Sequence, residues 1–160
     1  MRNLLEVNNL HTSFFTDAGE VRAVNGVSFN LERGKVLGIV GESGSGKSVF
    51  VKSTMGLLDA NGFIDSGRIL YNGQDLTVNK TDKDWQKIRG KEIAMVFQDP
   101  MASLNDRAKV DYIISEGLHN YHLYENEQNR QDKVGAIMRK VGLSADFASR
   151  FPHEFSGGQR

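Results

Sequence analysis

The sequence contains no cysteine. A disulfide scaffold and thiolate metal sites are therefore excluded, and the composition fits a reducing compartment. Neither sign of charge is in excess, because 20 Lys and Arg balance 20 Asp and Glu. No global field draws such a chain to nucleic acid or anionic lipid, and no basic, aromatic-rich patch is present. No apolar run approaches the roughly 18–20 residues needed to cross a bilayer. Met1 to Val7 lack the apolar core of a signal peptide. The expectation is a soluble, cytosolic chain in which any membrane role comes through a partner. Repeats and low-complexity tracts are also missing. His11, His119 and His122 offer no convincing metal set, although the last two are three apart. What remains is 160 residues with a 39% hydrophobic fraction, enough for one ordinary domain or one and a half small ones.

Against this plain background, residues 41–48 stand out as Gly41-Glu42-Ser43-Gly44-Ser45-Gly46-Lys47-Ser48. The spacing G-x-x-x-x-G-K-S suits a loop that cradles phosphate. Its glycines permit positive φ and close approach of the backbone to a ligand. Successive amides then point inward as an anion nest. Lys47 supplies a mobile charge for the β- and γ-phosphates, and the Ser48 hydroxyl is a hard oxygen ligand suited to Mg²⁺. The flanks agree. Val36 to Val40 form a short apolar run, as in a buried parallel strand. Lys47 to Leu58 carry Val49, Phe50, Val51, Met55, Leu57 and Leu58 without proline, which predicts a helix opening at the loop.

Elsewhere the pattern predicts strands over 4–15 and 21–31, joined by a polar turn at 16–20. Asn61 to Ser66 read as a turn-rich link, and Gly67 to Tyr71 as a strand ended by the turn pair Asn72-Gly73. Thr81 or Asp82 can cap a short helix through Arg89, with Trp85 packing on it. Ile93 to Phe97 form a second candidate buried strand, stopping at Gln98. Beyond Pro100 the period changes. Val110, Ile113, Ile114, Gly117, Leu118 and Tyr121 share one helical face. Val134, Ile137, Met138 and Val141 share another on a helix that Gly142 is placed to end. These changes divide the chain into an α/β unit over 1–98 and a helical unit over 99–160.

A second anion-binding motif closes the chain. Phe155-Ser156-Gly157-Gly158-Gln159 offers a hydroxyl and close backbone amides before a potential helix. Taken in order, the phosphate loop, the strand-terminal Gln98 and this motif resemble the nucleotide-binding subunit of an ABC transporter over the whole chain. Gly41 to Ser48 match the Walker A loop, Gln98 the Q-loop glutamine, and 155–159 the signature, with Phe155 in place of the usual leucine. Phe14 or Phe15 falls at the aromatic that stacks on adenine, and Phe14 is favoured. The stretches Val96-Phe97-Gln98-Asp99-Pro100-Met101, Ser103-Leu104-Asn105 and Pro152-His153-Glu154 narrow the likeness to ATPase subunits of bacterial oligopeptide, dipeptide and nickel importers. Asp106 departs from that subfamily, which has proline there.

The resemblance implies a P-loop NTPase fold of ABC type: a mixed sheet core with an antiparallel β part, plus an α-helical subdomain. It implies ATP and Mg²⁺ as cofactors, held by Phe14, Gly41, Glu42, Ser43, Gly44, Ser45, Gly46, Lys47, Ser48, Val49 and Gln98. Lys47 and Gln98 are the catalytic candidates, and Ser48 and Gln98 the metal ligands. Ser156, Gly157, Gly158 and Gln159 are expected to meet the γ-phosphate of a nucleotide bound by a second ATPase subunit. Membrane permease subunits and, indirectly, a solute-binding protein complete the implied partners, with no nucleic acid. The implied location is the cytoplasmic face of the membrane. The apolar strand ending in Asp-Glu that carries Mg²⁺ and water chemistry in this family has no match here. The chain therefore reads as an N-terminal fragment, inactive by itself, with an unpaired apolar sheet edge. Two other readings stay open: a soluble, non-transport ABC ATPase, or an inert nucleotide-binding fragment. Phe14 can also be a plain core aromatic and Gln98 a polar strand terminus.

Overall fold

The computed structural model describes residues 3–79, 81–98 and 103–159. The chain divides into two units, Met1–Arg89 and Gly90–Arg160. The first is built on four antiparallel strands in the order β2-β1-β3-β4. They are β1 (Asn3–Thr16), β2 (Gly19–Glu32), β3 (Gly62–Tyr71) and β4 (Gln74–Asp75). The alternating residues of β1 and β2 pair as expected, through a turn of only two residues between Thr16 and Gly19. Asn72 and Gly73 both have positive φ, at 50° and 85°, as the tight hairpin joining β3 to β4 requires.

The link expected at Asn61 to Ser66 is instead the first half of β3. Its residues pair with β1, Phe14 opposite Gly62, Thr12 opposite Ile64 and His11 opposite Ser66. Pairing across strands outweighs local turn preference here. Helix α1 (Lys47–Thr54) begins where the loop pattern predicts, but stops four residues before Leu58. Gly56, at φ 61°, and the bond from Leu57 N to Lys52 O wind up its end. The helix docks on the sheet through a Thr12 Oγ1–Ser53 Oγ hydrogen bond of 3.0 Å and an edge-on Phe29–Phe50 contact of 5.3 Å. Val7, Leu10, Ile69 and Leu76 are fully buried beside this seam. Helix α2 (Asp82–Gln86) has Thr81 as N-cap in a reciprocal capping box with Asp84.

Neither expected parallel strand forms. Val36 to Val40 and Ala94 to Phe97 have no assigned strand pairing, and Val36, Val40 and Val96 are 98%, 93% and 96% exposed. An apolar run of this kind becomes a strand only when neighbours bond its edges and helices cover its faces. Among the described residues no strand is hydrogen-bonded to either segment.

The second unit carries α3 (Val110–Asn120) and α4 (Glu127–Lys140), followed by 3-10 turns at Ala145–Ser149 and Pro152–Glu154. Asn126 caps α4 by accepting from Asn129 N at 2.9 Å, and Gly142 follows its end at φ 80°. Val134 and Met138 are buried, whereas Ile137 and Val141 remain open to solvent. Arg130 joins the two helices. All five of its N–H donors are used: on Asp111 (2.9 and 2.8 Å), Glu127 (3.0 and 2.6 Å) and Ser115 (2.9 Å). Its hydrogen bonds to the Glu127 and Asp111 carboxylates push its pKa upward, so it stays charged although nearly enclosed.

Candidate functional site: a phosphate loop and a signature turn

The loop from Gly41 to Gly46 is held by its own residues. Ser45 N donates to Glu42 O at 3.2 Å. Lys47 folds back across the loop, its Nζ donating to Gly41 O at 2.9 Å and Glu42 O at 2.6 Å, with Ser45 Oγ at 3.3 Å. An ammonium resting on carbonyls is poised to exchange them for a stronger anionic acceptor. Gly46 is the N-cap of α1 at φ 87°. A Cβ there would lie 2.2 Å from the Ala23 carbonyl oxygen of β2, so only glycine fits. The first intrahelical bond is Phe50 N to Gly46 O at 2.8 Å. The amides of Lys47, Ser48 and Val49 precede it and have no intrahelical acceptor. They, the positive end of the helix dipole and the Lys47 charge converge on one small volume.

A cleft of about 460 Å³ opens beside the loop, lined by Ala23, Val24, Asn25, Val27, Phe29, Ile39, Val40, Gly41, Ser45, Gly46, Lys47 and Phe50. One wall is apolar and the other is the phosphate loop. Among the described residues the lining holds no carboxylate and no imidazole. Ser48 is exposed at the first turn of α1, with a hydroxyl suited to Mg²⁺. Loop, lysine and hydroxyl together fit a magnesium-chelated polyphosphate.

Phe14 is half-buried on β1, with its ring over Gly62, where an added Cβ would meet Cε1 at 2.6 Å. It lies two residues from Thr12, so strand alternation puts it on the face that receives α1. Phe15 points the other way, 62% exposed and stacked on Phe63 at 4.7 Å. Gln98 belongs to the second unit and is exposed; Asp99, Pro100 and Met101 lie outside the described residues.

In the second unit Phe155 is buried and meets Phe147 edge-on at 6.0 Å. The larger side chain at this signature position is thus absorbed by packing. Ser156 to Gln159 form an exposed turn. Gln159 N donates to Ser156 O at 2.9 Å, and Gln159 Oε1 accepts from both Ser156 N and Ser156 Oγ at 3.1 Å. Glu154 Oε2 accepts from Phe151 N at 2.7 Å and steadies the approach to this turn.

Two residues at the far end of α1 were invisible in the motif pattern. Arg89 Nε donates to Met55 O at 2.7 Å, and a second guanidinium nitrogen to Gly56 O. Trp85 lies flat against Gly56, where an added Cβ would come within 2.1 Å of the indole. The sequence places Trp85 on a short helix, but its partner is some thirty residues away, so no local period reveals the contact.

Among known proteins, the family model described as ABC transporter matches residues 24–160. The oligopeptide transport ATP-binding protein OppF of Streptococcus pyogenes serotype M1 is 44% identical over 157 residues, covering 98% of this chain and 50% of its own length. OppD of Bacillus subtilis strain 168 is 46% identical over 160 residues, with 98% and 44% covered. The dipeptide transport protein DppD of Lactococcus lactis subsp. cremoris is 43% identical over 159 residues, with 98% and 45% covered. The chain thus spans about half the length of these curated relatives. Among solved structures, the ATP-binding cassette MJ0796 bound to ADP and Pi superposes with a TM-score of 0.83 over 97% of this chain and 64% of its own. At 22% identity this is a likeness of fold. CbiO1 from Clostridium perfringens, part of the ABC transporter complex cbiONQ, gives a TM-score of 0.73 at 28% identity over 99% and 58%. The fold is that of an ABC ATPase cassette, and the chain belongs to the ABC transporter family.

Proposed function

We propose that the protein is an ATP-binding subunit of an ABC importer, coupling ATP binding and hydrolysis to uptake of peptides or similar solutes at the cytoplasmic face of the membrane. One observation carries this reading: Lys47 lies folded over a glycine loop at the start of α1, in a chain closely similar to OppF, OppD and DppD. Amides from Gly44 to Val49 bind the phosphates, and Lys47 leaves the Gly41 and Glu42 carbonyls for the β- and γ-phosphates. Phe14 stacks on the base. Magnesium would neutralise phosphate charge there; Ser48 offers a hydroxyl suited to hold it, and Gln98 an amide oxygen of the same hard-ligand chemistry.

Ser156, Gly157, Gly158 and Gln159 serve a second ATPase subunit. Their turn has its Ser156 hydroxyl bonded to Gln159 and ready to exchange that bond for a γ-phosphate oxygen. A third phosphate gives ATP a contact that ADP lacks, and only such a difference shifts an equilibrium between open and closed pairs. Residues 99–160 then act as the helical part that meets permease subunits, with a solute-binding protein further upstream.

The cleft lining favours a second reading for the 160 residues taken alone. Among the described residues the cleft lining offers no carboxylate or imidazole as a general base for water, and on this reading the 160 residues bind nucleotide with turnover below about 1 per second. Calorimetric titration with Mg-ATP and Mg-ADP tests both readings. Saturable binding lost in Lys47→Ala is expected, and binding unaffected by that substitution refutes the site. Turnover at enzymatic rates refutes the second reading alone. Recovery of the tagged full-length protein with membrane permease subunits separates the importer from a soluble ATPase.

A further inference from the structure

The geometry points to Arg89 as a positioning residue that ties the nucleotide-bearing helix α1 to the start of the second unit; this rests on the nucleotide reading of the loop. Helix α1 has only eight residues, with the phosphate loop at one end. Its other end is gripped by a single guanidinium on the carbonyls of Met55 and Gly56. A cation there also complements the negative end of the helix dipole. The grip is rigid. Arg89 lies over the Trp85 ring at 5.0 Å, and Trp85 closes on Gly56 so tightly that no side chain fits between them. Arg89 N and Ile88 N are both fixed to Trp85 O, at 2.9 and 3.0 Å, and Asp82 lies 3.9 Å from the guanidinium. Burial draws the Arg89 pKa downward and Asp82 opposes it, as expected of a cation partly withdrawn from water.

The chain leaves this clamp directly into the second unit. Arg89 is the last residue of the first unit, and Gly90 follows at φ 74° with Gly90 N bonded to Ile93 O at 2.9 Å. Any shift of α1 when phosphate fills its N-terminus therefore pulls on a guanidinium fork carried by the residue just before the turn at 90–93. That turn leads along 94–97 to Gln98. A lysine keeps the charge but cannot bridge two carbonyls with a planar fork.

Hydrogen–deuterium exchange of the 160-residue chain, with and without a non-hydrolysable Mg-ATP analogue, tests the link. In the wild type the analogue should slow exchange both at 44–50 and at 90–97. Arg89→Lys should keep the protection at 44–50 while reducing that at 90–97 by at least about twofold, the lower end of coupling effects along packed networks. Trp85→Phe, which keeps a ring under the guanidinium, should give an intermediate response. A merely structural Arg89 would weaken protection at both segments in proportion. Proportional loss, or an unchanged response at 90–97 in Arg89→Lys, overturns the inference. Protection at 44–50 with none at 90–97 in the wild type overturns it while leaving the nucleotide site standing. Absence of any protection at 44–50 overturns the nucleotide reading and this inference with it.

Discussion

Gly46→Ala offers the sharpest test of the loop, because Gly44→Ala is its built-in control. Both glycines have positive φ, at 87° and 80°. An alanine at either costs about 1 kcal/mol for the left-handed backbone. Only Gly46 faces an obstacle: the added Cβ falls 2.2 Å from the Ala23 carbonyl oxygen, whereas nothing lies within 4 Å at Gly44. Ala23 is strand backbone, so relief to ordinary contact at 3.4 Å requires α1 and β2 to part by more than an ångström. That opening works against the Phe29–Phe50 contact and the Thr12–Ser53 hydrogen bond. Overpacking of this kind costs about 1–3 kcal/mol. The expected loss is therefore about 2–4 kcal/mol for Gly46→Ala against about 1 for Gly44→Ala. Urea unfolding followed by Trp85, the single tryptophan, reports on this unit. Nucleotide titration should show binding abolished in Gly46→Ala. Losses equal within about 0.5 kcal/mol, the usual scatter of substitutions away from such features, would refute the steric argument.

Arg130→Ala should destabilise the second unit by about 1.5–3 kcal/mol, because it removes the charged donor shared by half-exposed Asp111 and buried Ser115; helix ellipticity during denaturation measures it, and a loss under about 1 kcal/mol contradicts it. Hydrogen bonding from Arg130 holds Glu127 below the ordinary carboxylate range. Its contribution is therefore present above the unfolded value of about 4.3 and is lost as pH falls through the lower folded value. Helix stability should decline as pH falls through that window, and Glu127→Gln should blunt the decline; an identical acid profile in the variant argues against it. Asn126→Ala removes the acceptor for Asn129 N and should cost about 1 kcal/mol in the same assay. The exposed runs around Val36, Val40 and Val96 should make the 160-residue chain self-associate with rising concentration. Val36→Lys with Val96→Lys should suppress this in sedimentation velocity, and a wild type that stays monomeric throughout would disprove the expectation.

Much of the site was legible because its chemistry is local. The spacing of Gly41, Gly46, Lys47 and Ser48 encodes the positive φ, the helix start and the charge within eight positions, and α1 opens at Lys47. The Asn72-Gly73 turn, the Thr81 cap and the helical stripes after Pro100 were readable for the same reason. What escaped depends on partners far along the chain. Arg89 finds the end of α1 more than thirty residues away. Gly62 to Ser66 become strand because β1 lies beside them.

The order of residues alone determined the glycine loop at 41–48, the turn at 156–159 and the family, since each shows in short runs whose backbone and charge act within a few bonds. Tertiary structure alone decided which apolar runs become strands: the residues of β3 found a neighbour and paired, whereas Val36 to Val40 and Ala94 to Phe97 did not. A strand's free energy lies in the hydrogen bonds and faces that another segment supplies, and no run of residues carries those by itself.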